Sequence, residues 1–329
     1  MWKYYMFKIA GTSLAYLPRK IGYFGASIIA DFAFIFPAAR SGVADNMRHV
    51  LGFNTDNAVL KKNIHGVLRN TAKNYFDLIK LPRMRLDEID RRLIVHGWKH
   101  LEDALDQKRG VVLVTAHLGS FDIAAQIFAI RSVKTTVLLE PLKPPSLLSH
   151  VTALRESHGV SFMPGQSGTL ESLMRSLHRG EAILMACDRD IKGNGITSIF
   201  FGKETTLPTV AVRIAMRTGA AIVPIFCRRD GDNGYVIYVE PAINVITDGN
   251  SAVAKNVGKV AQVMERYISD SPEQWGVLSP IWQKDVNIPT HTWSNNGGAL
   301  PCPDRSATKL GRDGSRARTA VSIPNELRE

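Results

Sequence analysis

The 329-residue chain is poor in cysteine and carries none of the common nucleotide or metal signatures. Its three cysteines, Cys187, Cys227 and Cys302, are odd in number and include no Cys-x-x-Cys pair. Such a set makes no disulfide framework, offers no zinc site and suits a reducing compartment. There is no Gly-x-Gly-x-x-Gly run, no P-loop and no His-Glu-x-x-His spacing, so neither a metal nor an organic cofactor is expected. No internal repeat is present, and no linker interrupts the first 285 residues, which argues for one large domain. Long apolar runs are also missing. The stretch 21–39 comes nearest, but Asp31 interrupts it and Pro37 ends it, whereas a membrane-spanning helix needs about 20 apolar residues. No small-x-small cleavage pattern follows it to mark a secretory signal.

What is present is positive charge, unevenly placed. The net charge is +11, and residues 1–100 hold sixteen Lys and Arg against seven Asp and Glu. The same region is the most apolar and aromatic, which favours an anionic membrane surface, where each nearby Lys or Arg is worth about 1 kcal/mol. With no recognition motif or stacking platform, nucleic acid is not an expected partner. Residues 1–40 read as one or two helices lying on, or dipping into, the cytoplasmic leaflet; the alternatives are an ordinary apolar helix packed on the core and a true transmembrane span. The expected division is a membrane-associating segment over 1–40, a catalytic domain over 41–286, and a disordered tail over 287–329. In that tail Ser, Asn, Gly, Pro and Arg dominate and apolar periodicity is lost.

Between these ends, strands alternate with helices. Apolar positions at helical spacing predict a helix over 63–81 with a solvated back. Strands are predicted at 93–97, 111–116, 134–139, 160–163, 182–186, 221–227 and 235–239, and a hairpin through 199–202. Helices are predicted at 98–107, 123–130, 146–157, 170–178, 210–218 and 252–269. The expected fold class is α/β: a largely parallel or mixed central sheet covered by helices, with apolar membrane-contacting helices at the N-terminus.

The run Val111-Val112-Leu113-Val114-Thr115-Ala116 ends abruptly at His117, and Asp122 follows after Leu118-Gly119-Ser120-Phe121. A buried strand would deliver the imidazole to its C-terminal edge, where α/β sheets bind ligands. A histidine oriented by a carboxylate takes a proton from a hydroxyl near neutral pH. The expectation is therefore that His117 is a general base and Asp122 its partner, with backbone N–H groups of residues 119–121 stabilising an oxyanion. Three other strand-end features stand out. Glu140 follows one strand. Asp188, Arg189 and Asp190 follow another, either as a salt-bridge network or as an acceptor-binding edge. Phe200, Phe201 and Gly202 either wall a tunnel suited to a long apolar chain or pack in the core.

His-x4-Asp is the signature of glycerolipid and glycolipid acyltransferases. The chain resembles the branch containing bacterial lipid A acyltransferases and the mycobacterial phosphatidylinositol mannoside acyltransferase. The motifs that carry the resemblance are His117 with Asp122, Glu140-Pro141-Leu142-Lys143-Pro144, Arg155 with Gly159, Asp188-Arg189-Asp190, Phe200-Phe201-Gly202, Leu207-Pro208, Thr218-Gly219-Ala220 and Pro272-Glu273-Gln274-Trp275. It implies an O-acyltransferase that uses acyl-CoA or acyl carrier protein as co-substrate and needs no cofactor. The acceptor would be a hydroxyl of a glycolipid or lysolipid, reached peripherally or monotopically on the cytoplasmic face of the cell (inner) membrane. It also implies that Glu140 accepts hydrogen bonds from a sugar and that Arg155 contacts substrate through a phosphate. After Trp275 the chain continues Gly276-Val277-Leu278-Ser279-Pro280 rather than with aromatic and basic residues, which points away from lipid A itself. The alternatives are an acyl-thioester hydrolase on the same scaffold and a non-catalytic lipid-binding protein.

Overall fold

The computed structural model describes residues 11, 13–166 and 168–282. The chain divides after Lys284 into two units, and the second, 285–329, lies outside the described residues. The expected tail and the first ten residues of the N-terminal segment are therefore outside them too.

Nine strands form among the described residues. They are β1 (Leu93–His96), β2 (Val111–Thr115), β3 (Thr135–Leu139), β4 (Ser161–Pro164), β5 (Ala182–Ala186), β6 (Ile196–Phe200), β7 (Lys203–Leu207), β8 (Ala221–Asp230) and β9 (Gly234–Val239). Seven make one sheet in the order β1-β9-β8-β2-β5-β3-β4, while β6 and β7 pair separately as the predicted hairpin. All neighbours in the large sheet run parallel except β8 and β9. β2 lies at its centre, and helices cover both faces. Val112 and Val114 face one apolar cluster with Ile183, Met185 and Ile222. Val111 and Leu113 face the other with Leu184 and Val223. A strand buried on both faces has no use for polar alternation, which is why β2 and β5 read as unbroken apolar runs.

Three helices stand at the N-terminal end: α1 (Arg19–Ile35), α2 (Pro37–Leu51) and α3 (Asn57–Lys80). The apolar run 21–39 does not continue as one rod. The chain bends by 90° at Phe36, and Pro37 opens α2 rather than simply closing α1. Proline is tolerated there because a first-turn N–H has no intrahelical partner. Among the described residues no single helix is long and apolar enough to cross a membrane. α3 starts six residues before its predicted onset because the Asp56 carboxylate accepts the N–H groups of Ala58 and Val59. α1 packs closely on α3: a Cβ at Gly22 would lie 2.0 Å from the Phe76 ring. Asp31, which breaks the apolar run in sequence, turns toward α3 and is held by Arg69 and His65. Tyr75 is 55% exposed, whereas Phe76, Asp77, Leu78 and Ile79 after it are all buried.

Asp77 is the anchor of a charged network inside this helix–sheet junction. It is 1% exposed and pairs with Arg229 of β8 at 2.9 Å. The Tyr23 hydroxyl of α1 donates to it at 2.8 Å, the Ser120 hydroxyl at 3.0 Å and the Tyr235 hydroxyl at 3.2 Å. Burial, reinforced by the Asp77 charge, pushes the Tyr23 phenol up to about 12, so it stays a donor. Every element that meets here gives up side-chain freedom to one carboxylate. Removing it would leave Arg229 buried and uncompensated, which costs about 3–5 kcal/mol. Asp77→Ala is therefore expected to lower the unfolding free energy by about that amount in urea titrations. A loss below about 1 kcal/mol, the value of an exposed pair, would show that the network is not structural.

Candidate active site

The site forms at the C-terminal edge of β2, β5 and β3. β2 and β5 pair in parallel with Thr115 opposite Ala186. His117 lies two residues beyond Thr115, and Asp188 two residues beyond Ala186. The register therefore carries the two side chains out of the sheet as neighbours. His117 Nδ1 donates to Asp188 Oδ1 at 2.8 Å, and the His117 backbone N–H donates to Asp188 Oδ2, also at 2.8 Å. The Trp275 indole N–H reaches the same Oδ2 at 2.8 Å. Asp188 is completely buried, whereas the His117 side chain keeps 25% of its surface exposed. Burial by itself would raise the Asp188 carboxyl. The His117 charge and these hydrogen bonds outweigh it and hold the group down, at about 2. With Asp188 ionised, Nδ1 carries the proton and Nε2 is left as the basic nitrogen.

The expected pairing of His117 with Asp122 is corrected here. Gly119 turns the chain with φ +62°, and a Cβ at that position would lie 2.4 Å from the Cys227 carbonyl oxygen, so only glycine fits. The turn places Asp122 in the first turn of a short helix, α6, Phe121–Ala124, with α4 (Leu86–Asp90) and α5 (Trp98–Asp106) preceding it. There the carboxylate is taken by Arg155, whose Nε donates to Oδ1 at 2.6 Å. Arg155 ends the helix Pro145–Arg155 and lies over the Phe121 and Phe162 rings at 6.0 and 5.9 Å. Asp122 and Arg155 thus form a neutral, largely buried pair beside the imidazole's own turn. The Phe121 ring meets the His117 ring edge-on, 5.8 Å between centroids.

The other strand-end residues separate by role. Glu140, one residue beyond β3, accepts a hydrogen bond from the Arg189 guanidinium, and both stay partly exposed. Asp190 accepts the N–H groups of Gly193 and Gly195 at 3.0 and 2.7 Å, and so shapes its own loop. Phe200 is fully buried and stacks on Trp282 at 5.8 Å. Of the motif's two aromatics only Phe201 keeps some exposed surface, and Gly202 is exposed. No group of three or more His, Cys, Asp and Glu side chains able to hold a metal occurs among the described residues. Burial raises both the Cys187 and Cys227 thiols to about 12, so neither is a nucleophile at neutral pH.

Several residues that fix the site were not read from sequence. The Asn74 side chain donates to the Gly119 carbonyl at 2.6 Å, and Ser120 is held by Asp77. The Gly119 N–H donates to the Gln274 carbonyl at 3.1 Å and the Gly276 N–H to the His117 carbonyl at 2.7 Å. The Gly119 amide is therefore already occupied and is removed from the expected oxyanion donors.

Residues 1–284 match the family model for bacterial lipid A biosynthesis acyltransferases. The phosphatidylinositol mannoside acyltransferase of Mycolicibacterium smegmatis is 30% identical over 227 residues, 68% of this chain and 73% of that protein. Its namesake from Mycobacterium tuberculosis is 28% identical over 225 residues, 67% and 70% of the two chains. The lipid A biosynthesis lauroyltransferase of Escherichia coli is 26% identical over 194 residues, 56% and 61%. The chain belongs to the bacterial lipid A biosynthesis acyltransferase family, and it is an acyltransferase.

Proposed function

We propose that this acyltransferase moves a fatty acyl group from acyl-CoA or acyl carrier protein to a hydroxyl of a membrane glycolipid of the phosphatidylinositol mannoside kind, with His117 as general base and Asp188 as its partner. The observation that carries the mechanism is the 2.8 Å contact between His117 Nδ1 and a fully buried carboxylate at the open sheet edge. In this reading Nε2 accepts the acceptor's hydroxyl proton as the oxygen attacks the thioester carbonyl carbon. The tetrahedral intermediate collapses, the C–S bond breaks, and the imidazolium returns its proton to the departing thiolate. Asp188 holds the tautomer and stabilises the transient imidazolium, so no covalent acyl-enzyme is needed.

The acceptor class rests on the relatives. The mannoside acyltransferases match over 67–68% of this chain, the lipid A enzymes over 54–56%. The chain's departure after Trp275 points the same way. Arg189 with Glu140 and Arg155 with Asp122 stand around the base as the polar groups available to a sugar or phosphate, since guanidinium and carboxylate forks suit both.

Membrane association is the second part of the proposal. Ile21, Phe24, Ile28, Phe32 and Ile35 recur along one face of α1 and are 53–69% exposed. Such a stripe suits burial to the depth of the headgroup boundary. Asp31 does not oppose this, because it is held by Arg69 and His65 of α3. The favoured placement is peripheral, on the cytoplasmic face where the thioester donors are made. A hydrolase using His117 on water, or a silent lipid-binding protein, would share the scaffold.

Two outcomes follow. With labelled palmitoyl-CoA or acylated carrier protein and a lipid extract containing phosphatidylinositol mannosides, the wild type is expected to yield an acylated glycolipid by mass spectrometry. His117→Ala should lose at least about 10³-fold of that rate. Free fatty acid as the sole product would favour the hydrolase, and an unaffected His117→Ala would refute the base. In flotation with anionic phospholipid vesicles, Phe24→Ser with Phe32→Ser should weaken partitioning by about 10²-fold or more, from the loss of two buried aromatic side chains. Unchanged flotation would remove α1 from the membrane contact.

A further inference from the structure

The segment Pro272-Glu273-Gln274-Trp275 is singled out in the sequence, yet the acyl-transfer chemistry assigns it nothing. In the structure it is a strap across the turn that carries His117. Asn70 of α3 holds the Glu273 carbonyl at 3.0 Å. The Gln274 side chain brackets the Arg229 backbone, accepting from its N–H at 2.7 Å and donating to its carbonyl at 3.1 Å. The strap then meets the turn directly: Leu118 bridges to Trp275, and the backbone of Gln274 and Gly276 bonds to Gly119 and His117. Trp275 is fully buried. Its ring is boxed by Phe200, Phe201 and Trp282 at centroid distances of 6.3, 6.4 and 6.3 Å, so the direction of its N–H is set by packing.

We propose that Trp275 is a positioning residue for the acyl-transfer base, acting through Asp188. The inference rests on the reading of His117 as that base. A carboxylate turns easily about its last side-chain bond, since terminal torsions of this type are broad. Asp188 Oδ2 receives two N–H groups, from the His117 backbone and from Trp275, both at 2.8 Å. Those two donors fix the carboxylate plane and leave Oδ1 aimed at Nδ1. The backbone donor alone belongs to the turn that must be positioned. The indole comes from a different part of the chain and supplies an independent reference point. Without it, Oδ2 would be a dry, half-satisfied acceptor and the carboxylate would turn to compensate, taking the imidazole with it. Substrate binding would not register this change, because Trp275 and Asp188 are both sealed from solvent. The effect belongs to turnover.

Trp282 provides the control. It is buried in the same aromatic box, but its N–H goes to the Phe200 carbonyl. The experiment compares Trp275→Phe with Trp282→Phe in the full chain, reading kcat and KM for acyl transfer together with thermal unfolding. Trp275→Phe is expected to lower kcat by at least 10-fold with KM within about 2-fold, while Trp282→Phe destabilises comparably and keeps kcat within about 3-fold. If Trp275→Phe does not fold, Trp275 is replaced by β-(3-benzothienyl)alanine, which keeps the ring shape and deletes only the N–H. The same kcat loss is then expected. Equal kcat in the two variants, or full kcat with the benzothienyl side chain, would overturn the inference while leaving His117 as base. A His117→Ala protein that still transfers at the wild-type rate would refute the base and this inference together.

Discussion

A buried carboxylate that cannot leave its partners governs the candidate active site. Asp188 has no solvent to fall back on, and each of its oxygens is aimed at an N–H of His117 or Trp275. A charge in that position is costly unless every lone pair has a use. The surroundings are therefore built to supply donors. β5 brings the carboxylate, β2 brings the imidazole and its backbone amide, and the late strap brings the indole. Asp188 stays ionised because the pairing outweighs desolvation, and an ionised Asp188 is what would fit the exposed imidazole nitrogen for the proposed role of base.

The turn from His117 to Phe121 is held as tightly as the side chains. It has one glycine that no other residue can replace, at Gly119. Its carbonyls and amides are tied to Asn74, Gln274 and Gly276, and Ser120 is tied to the Asp77–Arg229 pair. That pair also receives Tyr23 of α1, the helix whose opposite face shows Phe24, Ile28 and Phe32 to the outside. Consequently the helix proposed to meet the lipid surface and the turn carrying the proposed base share one buried anchor. This arrangement fits the proposal of a membrane-bound acceptor attacked under the control of a fixed base.

Much of the fold was legible because it follows from local pattern. The unbroken apolar runs of β2 and β5, the hairpin near Phe200 and the helix Val210–Thr218 all announce themselves in sequence. Asp188 was noticed as a strand-end acid, but its partner was not. Which carboxylate meets His117 depends on β5 lying next to β2, and strands 71 residues apart in sequence do not reveal that order. Proximity along the chain favoured Asp122 instead, and the missing fact was Arg155, which arrives from another helix to claim it. One clue was available: β2 and β5 are equally long, and His117 and Asp188 stand at the same offset from their ends. The N-terminal bend is not legible in the sequence for a different reason. Proline both ends and begins helices, and the apolar run gives no sign of which.

The most direct test of the account is a comparison of kcat for Asp188→Asn and Asp122→Asn under saturating donor and acceptor. An asparagine at 188 would turn its carbonyl toward the two donors on the Oδ2 side and its amide toward His117, forcing the wrong imidazole tautomer. The account predicts a loss of about 10³–10⁴-fold, as for an orienting carboxylate in a hydroxyl-activating triad. Asp122→Asn should cost far less, because its role is to hold Arg155. A severe loss for Asp122→Asn beside a nearly active Asp188→Asn would contradict the pairing on which the mechanism stands.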